Sequence, residues 1–284
     1  MTINYSGRLY AADEIQFVNR AFAYGDAVFD TVKYTNGKLL FWEEHYLRLM
    51  AGMRILRMEI PIPFTLEFFE QQISDTLASN NLQASTARVR TTVFRSSKGL
   101  YTPQTNDVEY IIEVSPLQNS FYELPETHYE IELYKDFYVH ADLLANVKHT
   151  NRIINITGSI FAKENDYHNC LLLNHHKNIA GALNGNLFVV QGDTIKTPLL
   201  ADGCLNGITR QIILKILKKT PEFTLEETSI SPFELQKSDE LFITNSITGI
   251  QPVSQYRKKT FTHTVAKNLI GKLNAAARFG LTEK

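Results

Sequence analysis

The chain has 284 residues, 44% of them apolar and 21% charged, with a formal charge of −1 at neutral pH. That length suits two ordinary domains rather than one, and the apolar content excludes a disordered chain. The balanced charge speaks against an electrostatic footprint for nucleic acid or an anionic membrane.

Two cysteines, Cys170 and Cys204, offer neither a disulfide framework nor metal-type spacing. No run is apolar for long enough to cross a bilayer, and the N-terminus lacks the basic start and apolar core of a signal peptide. A cytoplasmic protein without a metal site is expected.

In chain order, "TINYSGRLYAAD" reads as a strand pair turning at Ser6-Gly7. "DAVFDTVKYTNGKLLFWEEH" reads as a hairpin about Asn36-Gly37, a pair suited to positive φ. From Trp42 the apolar spacing becomes helical (Tyr46, Leu49, Met50, Met53, Leu56), and "IPIP" stops it. Thr65 is the expected N-cap of a second helix, closed by Asn80-Asn81. "ARVRTTVFRSS" and "DVEYIIEVSPL" are strands. The polar, proline-bearing stretch 118–127 breaks periodicity and reads as an interdomain linker. It leaves a smaller N-terminal domain over 1–117 and a larger one over 128–284. The larger domain opens with the strand "YEIELYKDFYV", and the apolar run "LLANV" reads as a buried strand ending at Lys148. A helix follows in "NRIINITGSIFAKEND", then a hairpin from Cys170 to Pro198. The helix "ITRQIILKILKKT", the strand "DELFITNS" and a last helix from Thr262 complete the chain. Strands and helices mix without the regular alternation of a doubly wound sheet, so the class is α+β.

Several stretches carry chemistry. In "LLANVKHTNRI" a lysine follows five mostly apolar residues. An amine partly stripped of water loses preference for its charged form, and its lone pair becomes available; the alternative is a solvated lysine on the first turn of a helix. "LADGCLNGITRQIILKIL" turns at Asn206-Gly207 and opens a helix at Ile208-Thr209, whose free N–H groups and hydroxyl suit an anion, or an ordinary cap. "DELFITNSITGIQPV" ends a strand in Thr244, Asn245, Ser246 and Thr248, which could hold a second face of the same anion, or form a plain turn. Arg48 could clamp a phosphate or pair with Glu44. Arg88 and Arg90 share a strand face; they and Arg95 either reach a cleft or are solvated. His175-His176, adjacent at a hairpin tip, read as solvated turn residues rather than a metal pair. His149 either tunes Lys148 or packs at a domain interface. Cys170 reads as core, and Cys204 has no partner base.

Taken together, "YGDAVFDTVKYTNGKLLFWEEHYLRL", "VKHTNRI", "NGNLFVVQGDTIKTP", "NGITRQ" and "LFITNSITGIQPV", in this order, resemble the class IV (fold type IV) pyridoxal-phosphate enzymes. These include branched-chain and D-amino-acid aminotransferases and 4-amino-4-deoxychorismate lyase. The resemblance runs from about Asn4 to the last helix and implies the two-domain D-amino-acid-aminotransferase-like fold, with the cofactor in the interdomain cleft and a homodimer. It implies that Lys148 holds pyridoxal 5′-phosphate as a Schiff base and moves the proton at the substrate Cα. It implies a phosphate site of Arg48, the Gly207-Ile208-Thr209 turn and the Ser246-Ile247-Thr248 loop. The substrate is an amino acid or aminodeoxychorismate, met by Phe29, Asp30 and Thr31 and by Arg90 or Arg95.

The chain departs from the pattern at one position. Five residues before the Asn of "NLF", where most of the family has a Glu against the pyridine nitrogen, this chain has Gly181. Another residue supplies the acid, a weaker electron sink suffices, or transaminase activity is lost while the pocket is kept. Within the family, "KHTNR", "NGITRQ" and Asn245 look like the lyase, and Ile153, where branched-chain aminotransferases place a tyrosine, counts against that branch. Asp30 looks like the aminotransferases. "FRSSKGLYTP" lacks the Arg-x-His carboxylate trap of the D-amino-acid enzymes.

Overall fold

The structure, a computed structural model, describes residues 1–14 and 19–280. They form two compact units, Met1–Ser120 with Val147–Asn151, and Phe121–Asn146 with Arg152–Lys284.

The first unit is one antiparallel sheet under helices. Strands β1 (Thr2–Tyr5), β2 (Arg8–Ala11), β3 (Ala27–Thr35), β4 (Lys38–Leu39), β5 (Ala87–Arg95) and β6 (Val108–Pro116) lie in the order β2-β1-β6-β5-β3-β4. Asn36 and Gly37 both have positive φ, 51° and 76°, and so close the β3–β4 hairpin without splaying it. Helix α1 (Arg20–Tyr24) precedes β3 and was not foreseen; helices α2 (Trp42–Ile55) and α3 (Leu66–Ser79) cover the sheet. Glu43 and Glu44 in the first turn of α2 suit the positive end of its dipole, and Arg57 at φ 56° turns the chain away just beyond it. Thr65 caps α3, its hydroxyl accepting the Phe68 N–H at 3.1 Å. Period-two alternation sends Val28 and Val32 of β3, and Val89 and Val93 of β5, into a core with Met50, Met53, Phe69 and Ile73. Fully burying one such side chain stabilises the fold by about 2 kcal/mol.

The second unit holds two five-stranded sheets. Its elements are β7 (Glu130–Val139), α4 (Leu143–Asn146), α5 (Ile153–Glu164), β8 (Asn169–Asn174), β9 (Ile179–Ala182), β10 (Asn186–Gln191), β11 (Thr194–Thr197), α6 (Ile208–Lys218), β12 (Thr224–Glu227), β13 (Glu240–Asn245), β14 (Gly249–Pro252), β15 (Gln255–Tyr256), β16 (Lys259–Thr260) and α7 (Thr264–Phe279). Strand orders are β12-β11-β10-β13-β14 and β16-β15-β7-β8-β9. Leu133, Leu171, Leu187, Val189, Leu241 and Ile243 form the shared core, so β8 and β10 read as apolar runs rather than alternating strands.

Two expectations are corrected here. "LLANV" is not a buried strand: Leu143–Asn146 is a helical turn, started by Asp142 Oδ1, which accepts the N–H groups of Leu144 and Ala145. Leu143 and Leu144 stay 60% and 48% exposed, and only Val147 is buried. Lys148 is also not carried by the larger unit. Its segment, Val147–Asn151, packs with the first unit.

Candidate active site

Helix α2 approaches β3 closely at Gly52, where a Cβ would stand 3.3 Å from Val28 Cγ1. His45 and Arg48 lie seven and four residues earlier on the same helical face and so come over Asp30 of β3. His45 Nδ1 is 2.6 Å from Asp30 Oδ1. Arg48 closes a fork on the same carboxylate, Nε donating to Oδ2 at 2.9 Å and a terminal nitrogen to Oδ1 at 2.7 Å. Burial alone would favour the neutral acid, but the Arg48 guanidinium and His45 outweigh it and hold the Asp30 carboxyl well below the usual carboxylate range. Burial pushes the His45 imidazole below its ordinary value despite the pull of Asp30. The neutral ring then donates from Nδ1, and its Nε2 is buried without a partner among the described residues.

Asp30, expected as a substrate contact, is 3% exposed and paired with His45 and Arg48. Alternation puts Phe29 and Thr31 on the opposite face of β3. There Arg90, paired in register with Thr31, sets its guanidinium 4.1 Å from the centre of the Phe29 ring, with Nε 3.9 Å from Glu113. Burial lowers the pKa of that guanidinium.

The Lys148 segment continues this edge. The Phe29 N–H donates to the Lys148 carbonyl at 2.8 Å and the Thr150 N–H to that of Ala27 at 3.0 Å, pairing Val28 with His149. Thr150 Oγ1 and Asn151 Nδ2 both donate to the Gly25 carbonyl at 3.0 Å. The half-buried Lys148 sets its Nζ 4.5 Å from the centre of the Phe29 ring, so Lys148, Phe29 and Arg90 are brought together.

Arg95, the alternative to Arg90 for a substrate carboxylate, is not with them. It is 6% exposed and commits its guanidinium to Asp26, Asn106 and the carbonyls of Leu56 and Arg57. Asp26 also takes Arg20, whose other donors hold the carbonyls of Gly99, Leu100 and Tyr101.

In the second unit, α6 begins at Gly207 without a side-chain cap. Thr209, 2% exposed, keeps its hydroxyl without a partner among the described residues, a combination that suits an anion. Asn186, at the start of β10, positions this turn. Its amide donates to the Leu205 carbonyl at 2.7 Å, and its Oδ1 would lie 2.1 Å from a Cβ on Gly207. In register, Asn186 also faces Thr244 of β13, directly before the Asn245 turn. There Asn245 Oδ1 accepts the N–H groups of Ile247 and Thr248 at 3.0 and 2.9 Å, which leaves the Ser246 and Thr248 hydroxyls as the groups to offer an anion. Tyr122 donates its hydroxyl to the Ser246 carbonyl at 3.0 Å and steadies that loop. Burial pushes the Cys204 thiol up to about 11, which makes it inert at neutral pH.

Sequence reasoning missed His45, Asn186 and Tyr122. The available signal for His45 was a carboxylate on the core-facing side of β3, between Val28 and Val32, which needs a buried partner.

Among known proteins, a D-alanine aminotransferase of Listeria monocytogenes is 23% identical over 84% of this chain and 81% of its own length. An aminodeoxychorismate lyase of Vibrio harveyi is 25% identical over 83% and 85%. A solved branched-chain amino acid aminotransferase from Thermobaculum terrenum, crystallised in its PLP-bound holo-form, superposes with a TM-score of 0.84 over 99% of this chain and 94% of its own, at 18% identity. The family profile for amino-transferase class IV matches residues 27–256. On that match the chain belongs to the class IV aminotransferases, a family of pyridoxal-phosphate-dependent aminotransferases and lyases.

Proposed function

We propose that the chain is an aminotransferase of amino acids in which Lys148 binds pyridoxal phosphate covalently. The placement of Lys148 carries this reading: a five-residue segment is fastened to β3 so that its Nζ stands 4.5 Å from the centre of the Phe29 ring, which the Arg90 guanidinium also meets. The donor set fits the cofactor. Within the second unit the buried Thr209 hydroxyl, without a partner among the described residues, and the uncapped start of α6 suit its phosphate, with Ser246 and Thr248 beside the Asn245 turn; within the first, Arg48 is the cation that family membership suggests for it. When bound, pyridoxal phosphate supplies an aldehyde for amines and a ring that takes up the electron pair released at Cα. Lys148 offers the amine and holds the proton moved at Cα; Arg90 attracts a substrate carboxylate. The family relationship supports a homodimer, to be checked by sedimentation.

Gly181 supports a weakened version of this chemistry. Among the buried carboxylates of the second unit, Glu240 is committed to the first N–H groups of α7, whereas Asp202 accepts the Asn174 amide at Oδ1 and keeps Oδ2 without a partner among the described residues. Gly181 has φ +152°, and a Cβ there would stand 3.2 Å from the Gly185 carbonyl, so restoring a glutamate strains the strand. Gly181→Glu is therefore expected to cost stability as well as to alter rate. If no residue partners the ring nitrogen, 1-deazapyridoxal phosphate binds as tightly as pyridoxal phosphate. A preference of tenfold or more for the natural cofactor would point to a substitute acid, with Asp202→Asn the first variant to make.

The main test is borohydride reduction of protein incubated with pyridoxal phosphate, followed by peptide mass mapping. The label is expected on Lys148 and absent from Lys148→Ala, which also loses turnover; a label elsewhere, or none, rejects the assignment. A second reading, aminodeoxychorismate lyase, is favoured by Thr31, whose hydroxyl shares the Arg90 face of β3. Release of 4-aminobenzoate and pyruvate from aminodeoxychorismate would select it over amino-group transfer.

A further inference from the structure

The second unit contains a cavity of about 310 Å³ beside the β8–β9 turn, formed by residues that none of the chemistry above uses. Leu133 and Leu173 make an apolar floor, and Tyr138 and the 78%-exposed Phe233 contribute aromatic walls. Its charged lining is entirely basic: Lys135, Lys177 and Arg257, with His176 beside them. One carboxylate from outside the lining, Glu132, pairs with Arg257 at 3.5 Å. Three cations against one anion leave a net positive cavity of a size that takes a small molecule.

Two of those cations sit where the backbone resists them. Lys177 has φ 65° and Arg257 φ 55°, the left-handed region that glycine or asparagine occupies at lower cost. Both are held there by their surroundings. Fully buried Asn174 accepts the N–H groups of His176 and Asn178 at 3.0 Å each, fixing the turn that presents Lys177. The Gln255 amide donates to the Arg257 carbonyl at 2.7 Å across the β15–β16 turn. The Phe233 loop is tied likewise, by the Ser231 N–H to Glu234 and by Glu234 to Lys196. Left-handed backbone also occurs at Arg57, outside the cavity; here it matters because the tied turns fix where the two rim cations stand. The Lys177 ammonium lies 5.5 Å from the Tyr138 ring centre and 3.4 Å from its hydroxyl, so cation and aromatic wall are already adjacent.

We propose that this cavity binds a small planar aromatic molecule bearing a phosphate or carboxylate, its ring against Tyr138 and Phe233 and its anion among Lys135, Lys177 and Arg257. The site is separate from the residues assigned to the cofactor and does not depend on that assignment.

Calorimetry of the full chain with adenosine monophosphate, adenosine and inorganic phosphate tests it. Adenosine monophosphate is expected to bind once per chain and more tightly than either fragment. Lys135→Ala and Lys177→Gly should each weaken it roughly tenfold, as loss of a charge-assisted contact does. Phe233→Ala should weaken it less. Lys177→Gly has a second, opposite signature: release of backbone strain raises its Tm by about 2 °C while binding is lost. Arg57→Gly, left-handed but outside the cavity, is the control and should leave binding alone. Absence of saturable binding at millimolar concentration overturns the proposal. So does affinity unchanged in Lys135→Ala and Lys177→Gly. Phosphate binding as tightly as the nucleotide overturns the aromatic class, and binding abolished by Thr209→Val instead places the anion elsewhere.

Discussion

In the first unit the candidate polar groups are side chains: Asp30, His45 and Arg48 form one buried cluster, and Arg90 and Lys148 both meet the Phe29 ring. In the second unit they are largely backbone and short hydroxyls, set by Gly207 at the start of α6 and by Asn245 after β13. The difference follows from what each sheet buries. Strand β3 has an open face and a covered face, and tolerates charges if they are paired. Strands β8 and β10 are buried along nearly their whole length and leave polar groups only at their ends. Side-chain chemistry is therefore broken by removing a charge, and backbone chemistry by adding a carbon.

The largest effect should come from Asp30→Ala, which leaves the Arg48 guanidinium buried without its carboxylate. A loss of about 3–5 kcal/mol in urea unfolding is expected. A loss under about 1 kcal/mol would mean that Arg48 finds water, and that the cluster is less closed than its contacts indicate. Gly207→Ala should cost about 1–3 kcal/mol, because the new Cβ falls 2.1 Å from Asn186 Oδ1. Hydrogen exchange should show the change in α6 and not in β3; protection lost in both would break the contrast.

Acid should act on the first cluster selectively. Asp30 and His45 both have folded pKa values below their unfolded ones, so the unfolded chain binds more protons. Their contribution is fully present above about pH 6.5 and is lost as pH falls, first through the histidine range and then below about pH 4. His45→Gln should flatten the upper part of the decline, between about pH 6.5 and 5; an unchanged slope would assign it to another group. The smallest effect is expected for Asn245→Ala, which removes the acceptor of the Ile247 and Thr248 N–H groups. It should cost about 1 kcal/mol, with weaker phosphate-ligand affinity as the more sensitive readout.

Local chemistry explains what could be read in the sequence. The Asn36-Gly37 hairpin and the Thr65 cap were legible because each rests on one or two residues whose backbone preference is strong. The long helices and strands followed from their apolar period. The Lys148 segment was misread because apolar content stood in for a strand. Asp142 starts a helical turn there instead, and Asn146 ties it to the carbonyls of Leu200 and Cys204, contacts more than fifty residues distant. Arg90 and Arg95 could not be told apart by spacing. Asp26, which consumes Arg95, lies sixty-nine residues earlier. Asp30 and Arg48 were both singled out, but as separate contacts, since nothing local says that α2 docks its His45–Arg48 face on β3.

The five residues Val147–Asn151 have a consequence for how the protein is made. A ribosome that has passed Ser120 has delivered all six strands of the first sheet, but not the segment that satisfies the Phe29 N–H and the Ala27 carbonyl. That segment emerges only after β7, the first strand of the other unit, has been synthesised. The first unit therefore finishes folding while the second is already under way, and a gene cut at the 120–121 boundary yields a sheet with an open edge and without Lys148. In genetic terms, that lysine and the strand that seats it lie on opposite sides of the domain boundary, so neither half can be shuffled without the other.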